Sequence, residues 1–166
     1  GGALFFGGSL TKFTNNNLSF INTSANNGGA IYFNSVNDIN ITGIKFINNT
    51  ATTNGGTLYF ASTVTNVKIY DVDFDTYAGS NGGAVYFAGD NCRLENSSFK
   101  NCFIFGEGYV ENGVYLSSNG GAVYWKGNNG TVKNVSFSDC SAYFIMDENS
   151  TVNTNGTNAN GGAIYW

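Results

Sequence analysis

Asn27-Gly28-Gly29-Ala30-Ile31-Tyr32-Phe33 is a seven-residue word that the chain repeats. It returns as Asn54-Gly55-Gly56-Thr57-Leu58-Tyr59-Phe60, then at 81–87, 119–125 and 160–166, and the chain opens on Gly1-Gly2-Ala3-Leu4-Phe5-Phe6. The glycine pairs are separated by 27, 27, 27, 38 and 41 residues. A fixed period in this range means a solenoid, in which each repeat is one supersecondary unit that buries its apolar face only against its neighbours.

Within the word, the Asn and the glycines read as a turn. Asn tolerates a left-handed backbone, and glycine either adopts positive φ or lets another backbone come close. The residues that follow alternate as a short strand. One face carries Ile31, Leu58, Val85, Val123 and Ile164, then Phe33, Phe60, Phe87, Trp125 and Trp166. The other carries Ala30, Thr57, Ala84 and Ala122, then Tyr32, Tyr59, Tyr86, Tyr124 and Tyr165, then Asn34 and Lys126. Asn34 and Lys126 assign the second face to solvent, so this reading points the aliphatics, Phe and Trp inward.

A second anchor recurs at Phe20, Phe46, Phe74, Phe99 and Phe137. Apolar residues fall two, five and seven positions before it, as in Ile44, Ile41 and Ile39. The odd step between them requires a corner, at Thr42-Gly43 or Tyr70-Asp71. Each repeat therefore reads as three short strands. The fold expected is all-β, a right-handed parallel β-helix of about 27 residues per coil, the hand following from the crossover rule. With coils ~4.8 Å apart, five of them make a rod about 24 Å long. The last full coils carry 11 and 14 extra residues, at 103–118 and 143–159. Both insertions follow the second Phe anchor, so they should lie side by side at one corner. The chain is read as a single β-helix, 1–166, cut from a longer repeat protein. Open strand edges favour end-to-end self-association.

Composition narrows the function. The 166 residues include 27 Asn, 23 Gly and 26 aromatics, with 11% charged and a net charge of −4. No basic stripe suits nucleic acid, and no apolar run is long enough to span a membrane. There is no His, and the three Cys are too few and too scattered for a zinc site or a disulfide scaffold. No cofactor or metal is expected.

Gly-Gly-Ala-(Ile/Leu/Val) followed by Phe-x-x-Asn resembles the repeats of the chlamydial polymorphic membrane proteins, and is similar to adhesin-like surface proteins of methanogenic archaea. The first half matches at Gly1, Gly28, Gly55 (with Thr57 for Ala), Gly82, Gly120 and Gly161. The second half matches at Phe13–Asn16 and Phe46–Asn49, while Thr23, Tyr77, Cys102 and Cys140 stand where Asn would be after the other anchors. The resemblance covers essentially the whole chain. It implies an extracellular, cell-surface β-helix used in adhesion: a stalk, adhesin or filament segment that meets a glycan or protein of a host or neighbouring cell. It implies no catalytic site.

The alternative is a carbohydrate-active β-helix of lyase or hydrolase type. Such enzymes need clustered carboxylates, usually with Arg or Lys on the outer face. Here the single Arg93 and nearby Glu95 lie on a face rich in Asn and Ser. Asp71, Asp73 and Asp75 alternate outward but lack the glycine-rich pattern of calcium-binding repeats. Lys45, one coil away from Asp73, suits a surface ion pair.

Contact residues are expected at the insertions, where Phe103, Phe105, Tyr109, Tyr115 and Tyr143 accompany Glu107, Glu111, Asp147 and Glu148. Aromatic faces beside carboxylates suit a glycan or a protein. The outer ladder Tyr32, Tyr59, Tyr86, Tyr124 and Tyr165 either binds a partner or only stacks on itself. The Asn before each glycine pair reads as an internal amide ladder. Nine Asn-x-Ser/Thr sequons occur. Asn17, Asn96 and Asn134 are corner residues of the repeat, and Asn149 and Asn155 in the second insertion are the better glycan acceptors. Cys102 and Cys140 share a repeat position. Their Cα atoms would stand ~5 Å apart, within reach of a disulfide, but parallel side chains suit that bond poorly, and buried thiols are favoured.

Overall fold

A computed structural model of the chain describes residues 1–8, 13–14, 18–78, 80–107, 118–145 and 159–166, with Tyr77, 105–107, 143–145 and 159 described in backbone only. Among the described residues there is no helix, and the strands pair in parallel as a β-solenoid. Three rows of strands run along it. The first stacks Leu4–Phe6, Ile31–Phe33, Leu58–Phe60, Val85–Phe87, Val123–Trp125 and Ile164–Tyr165 in that order. The second stacks Phe13–Thr14, Asn37–Thr42, Thr65–Tyr70, Arg93–Glu95 and Thr131–Lys133. The third stacks Ser19–Ile21, Lys45–Asn54, Asp73–Ala78, Ser98–Glu107 and Ser136–Ser138.

Registers hold across the rows. Ile31 aligns with Leu4 and Leu58, Tyr32 with Phe5 and Tyr59, and Phe33 with Phe6 and Phe60. Identical side chains therefore stack. Phe33, Phe60 and Phe87 form one interior column with ring centroids 5.1 Å apart. Phe46, Phe74 and Phe99 form another, at 5.3 and 4.6 Å. Each stacked pair adds roughly 0.5–1.5 kcal/mol to the area it buries. Ile31, Leu58, Val85 and Val123 are fully buried, as the alternation requires. Trp166 stacks on Trp125 at 4.7 Å yet remains 61% exposed, because no described rung covers its outer side.

The alternation fails at one position. Ala30, Thr57, Ala84 and Ala122, assigned above to the solvent face, are completely buried. They sit in the bend before the strand begins, so the two-residue period does not yet apply and both Ala30 and Ile31 point inward. The glycines before them divide the labour. Gly28 has φ +61°, whereas a Cβ on Gly29 would lie 2.1 Å from the Gly56 carbonyl oxygen and 2.3 Å from that of Thr50. The first glycine makes the turn, and the second admits two neighbouring backbones.

Asn and Asp make the remaining corners. Every non-glycine residue with positive φ among those described is Asn or Asp. Asp38, Asn66, Asn91 and Asn129 occupy one corner, and Asp71, Asn96 and Asn134, in line with Gly43, another. Asn22, Asn48, Asn101 and Asp139 form a third, just after the Phe anchors. These are the side chains that tolerate a left-handed backbone best after glycine.

At the glycine corner the amides form a continuous ladder. Asn54 Nδ2 donates to Asn27 Oδ1 at 3.0 Å, Asn81 to Asn54 at 2.9 Å, Asn119 to Asn81 at 3.0 Å and Asn160 to Asn119 at 2.9 Å. Replacing Asn81 by Leu strands Asn54 Oδ1 and removes the ladder bond that Asn119 Nδ2 makes to Asn81. The expected loss is about 1–3 kcal/mol in urea unfolding. Thr57→Ala is the contrast, since the buried Thr57 hydroxyl has no partner. Its removal is expected to be neutral or stabilising, and equal losses from both variants would show that the ladder adds nothing specific.

Candidate functional site

The insertions depart from the rod at the third row. Phe103–Glu107 continues the strand Ser98–Glu107 and pairs in parallel with Ser141–Ile145, aligning Phe105 with Tyr143 and Glu107 with Ile145. Where the chain returns, Ser118–Asn119 pairs with Ala159–Asn160. Phe105, Glu107 and Tyr143 are thus brought to adjacent rungs. Tyr109, Glu111, Tyr115, Asp147, Glu148, Asn149 and Asn155 lie outside the described residues, as does the sequon residue Asn17. Beneath the strands that lead into the insertions, Ala51, Ala78 and Ile104 make a small apolar cluster with Ala142, separate from the main core.

The tyrosine ladder is real and half-buried. Successive ring centroids from Tyr32 to Tyr165 are 4.7, 4.9, 4.7 and 5.1 Å apart, with planes within 15° of parallel. Each interior ring has both faces covered by its neighbours, so only edges and hydroxyls meet solvent. This geometry removes the faces on which a sugar would stack. Burial pushes the Tyr86 hydroxyl up to about 12, with the neighbouring Tyr124 and Tyr59 adding to it.

The Phe-x-x-Asn motif has a specific task. A left-handed residue follows the Phe anchors at 20, 46, 99 and 137 and bulges the strand, and in the coils of Phe46, Phe99 and Phe137 the third residue after the anchor reaches the Phe carbonyl of the coil before it. Asn49 Nδ2 donates to Phe20 O at 3.0 Å, while its Oδ1 accepts from Thr23 N and Oγ1 at 3.1 and 2.7 Å. Cys102 and Cys140 take this position in later coils, with Sγ 3.8 Å from Phe74 O and 3.6 Å from Phe99 O. In the third coil the position belongs to Thr76, which aligns with Asn49, and not to Tyr77 as counted from the sequence. That coil lacks the bulge residue, so the register shifts by one between Asp75 and Thr76.

All three cysteines are free thiols. Cys102 is buried and Cys140 half-buried one rung above it. The two thiols lie on adjacent rungs and act on one another, the deeper Cys102 being the one that stays protonated. The interaction with Cys102 pulls the Cys140 thiol down to about 7, while the interaction with Cys140 and burial push Cys102 up. Burial pushes Cys92 up to about 12.

The acidic triplet does not converge. Asp71 makes a corner at φ 56°. Asp73 accepts a hydrogen bond from Ser98 Oγ. Asp75 aligns with Ile47 and Lys100. Among the described residues no three Asp, Glu, Cys or His side chains gather as metal ligands. Asp73 does align with Lys45, but the ion pair found among the described residues is Lys68–Glu95 at 3.9 Å. The sequons at Asn22, Asn48, Asn96, Asn129 and Asn134 coincide with left-handed corners, which explains their number.

Comparison of the chain with family models, with curated proteins and with solved structures found no match.

Two solution measurements test this description. Alkylation with iodoacetamide at pH 7.5 followed by mass spectrometry is expected to label Cys140 ahead of the buried Cys92 and Cys102, and labelling of Cys92 ahead of Cys140 would contradict the burial described. A folded value above the unfolded one means that Tyr86 favours the native state fully below pH 10. That contribution is lost as the pH rises from 10 toward about 12. Thermal melts across this range should show a fall that Tyr86→Phe reduces.

Proposed function

We propose that the chain is a non-catalytic structural and adhesive module held outside the cell, with its specific contact at the paired insertions. The observation that carries this reading is that both insertions leave from one corner and return to one corner on adjacent coils. Regular coils offer repeated small polar groups, which suit stacking but discriminate poorly between ligands. The insertions interrupt that uniformity with aromatic and acidic residues. The resemblance of the Gly-Gly-Ala and Phe-x-x-Asn words to those of surface adhesins supports the same reading. On it, the interior ladders serve stiffness. The partner is a glycan or protein of a neighbouring cell surface, and like coils can also stack along the axis.

The test is to shorten both insertions to the 27-residue step. The shortened protein is expected to keep its β-rich circular dichroism and to lose binding on a glycan array or to cells. Undiminished binding would move the contact to the regular coils. Release of oligosaccharide from a polysaccharide panel by the intact protein would overturn the non-catalytic reading.

A further inference from the structure

Cations on the outer surface of the rod are not distributed alike. On the third row they face carboxylates, with Lys45 aligned with Asp73 and Lys100 with Asp75. On the second row Lys133 aligns with Glu95. Arg93 and Lys68 are the exceptions, for they align with each other, with Thr131 on the far side of Arg93 and Asn40 on the far side of Lys68. Like charges opposite one another on neighbouring strands destabilise a sheet. The fold relieves Lys68, whose Nζ lies 3.9 Å from Glu95 and 4.9 Å from the centre of the Tyr70 ring. Arg93 is exposed and has no ion pair among the described residues.

A second feature falls at the same rungs. The corner beside these cations carries its own side-chain ladder. Asn66 Nδ2 donates to Asp38 Oδ1 at 3.1 Å, and Asn129 Nδ2 to Asn91 Oδ1 at 3.2 Å. Between Asn66 and Asn91 the ladder is interrupted, with no side-chain hydrogen bond between them among the described residues. The interruption opens a cleft of about 460 Å³ lined by Asn66, Val67, Lys68, Asn91 and Arg93. No carboxylate lines it. A guanidinium, an ammonium and two exposed amide groups thus share one concavity on a protein of net charge −4.

From these two observations we propose that this cleft binds an anionic polysaccharide, with Arg93 as the fork that holds a carboxylate or sulfate group and Lys68 as the adjacent point charge. Arg is suited to that role because its planar donors match a two-oxygen anion. An extended polymer suits the site better than a compact anion, because the face is open; Glu95 stands between Tyr70 and Lys133 on the same sheet, so the contact is confined to the Lys68 and Arg93 end. The proposal goes beyond the adhesive reading and does not depend on the insertions.

The test uses the intact chain and two fluorescent probes, a heparin fragment carrying sulfates and a polygalacturonate fragment carrying carboxylates. Anisotropy at low and at physiological salt is expected to show binding of at least one probe that weakens with salt. Lys68→Gln/Arg93→Gln should lower affinity ~10-fold or more, whereas Lys45→Gln/Lys100→Gln should leave it nearly unchanged. Arg93→Lys should lose part of it. Because Arg93 is unpaired, Arg93→Gln is expected to leave the melting temperature unchanged or raised. The proposal is overturned if neither probe binds, if both double variants weaken binding equally, or if single-stranded DNA binds as tightly as the glycans. A lower melting temperature in Arg93→Gln would overturn it as well, by showing that the side chain serves the fold.

Discussion

An asparagine amide that donates to the amide below it and accepts from the one above is satisfied only if successive coils stand in line. That condition governs the molecule. The four hydrogen bonds joining Asn27, Asn54, Asn81, Asn119 and Asn160 survive steps of 27, 38 and 41 residues, so the extra residues must leave and rejoin the coil without disturbing the register. A slip of one residue would turn Phe33 outward and Tyr32 inward. The aromatic columns are consequences of the same alignment.

Corner chemistry explains a composition that looks odd for a packed protein. A coil of this size bends several times, and most of these bends use a left-handed residue. Asn, Asp and Gly fill those places, so abundant Asn reflects geometry more than solubility. Bulging after the Phe anchor leaves a carbonyl that needs a donor. Asn49 supplies a strong one to Phe20 and Cys102 a weak one to Phe74. When two successive coils use Cys there, alignment alone places two thiols within hydrogen-bonding reach. The perturbed Cys140 is in this sense a by-product of the repeat.

Much of the fold was legible because period and alternation are both backbone properties. Ile31, Leu58, Phe33 and Phe60 could be placed inside from spacing alone, and the corners at Gly43 and Asp71 from the odd step between apolar residues. Ala30 and Thr57 were misplaced because alternation was extended into a bend. Tyr77 was misassigned because a missing bulge residue leaves no mark on the overall 27-residue step. The common departure point of the insertions was legible from their position after the same anchor. The cleft at Arg93 was not, since it depends on which cation aligns with which neighbour and on a break between Asn66 and Asn91 that composition does not disclose.

The ladder also bears on how the chain ages. Asn followed by Gly is the pair most prone to deamidation, in which the glycine nitrogen attacks the Asn side chain, ammonia leaves and the cyclic imide then takes up water. Five such pairs line the glycine corner. There the Gly28, Gly55, Gly82 and Gly120 nitrogens each donate to the Asn carbonyl of the next coil, at 3.0, 2.9, 3.0 and 2.8 Å. The Asn side chains are held by one another at the same time. Nucleophile and target are both restrained, so a sequence that would be chemically fragile as a free peptide becomes durable once coiled.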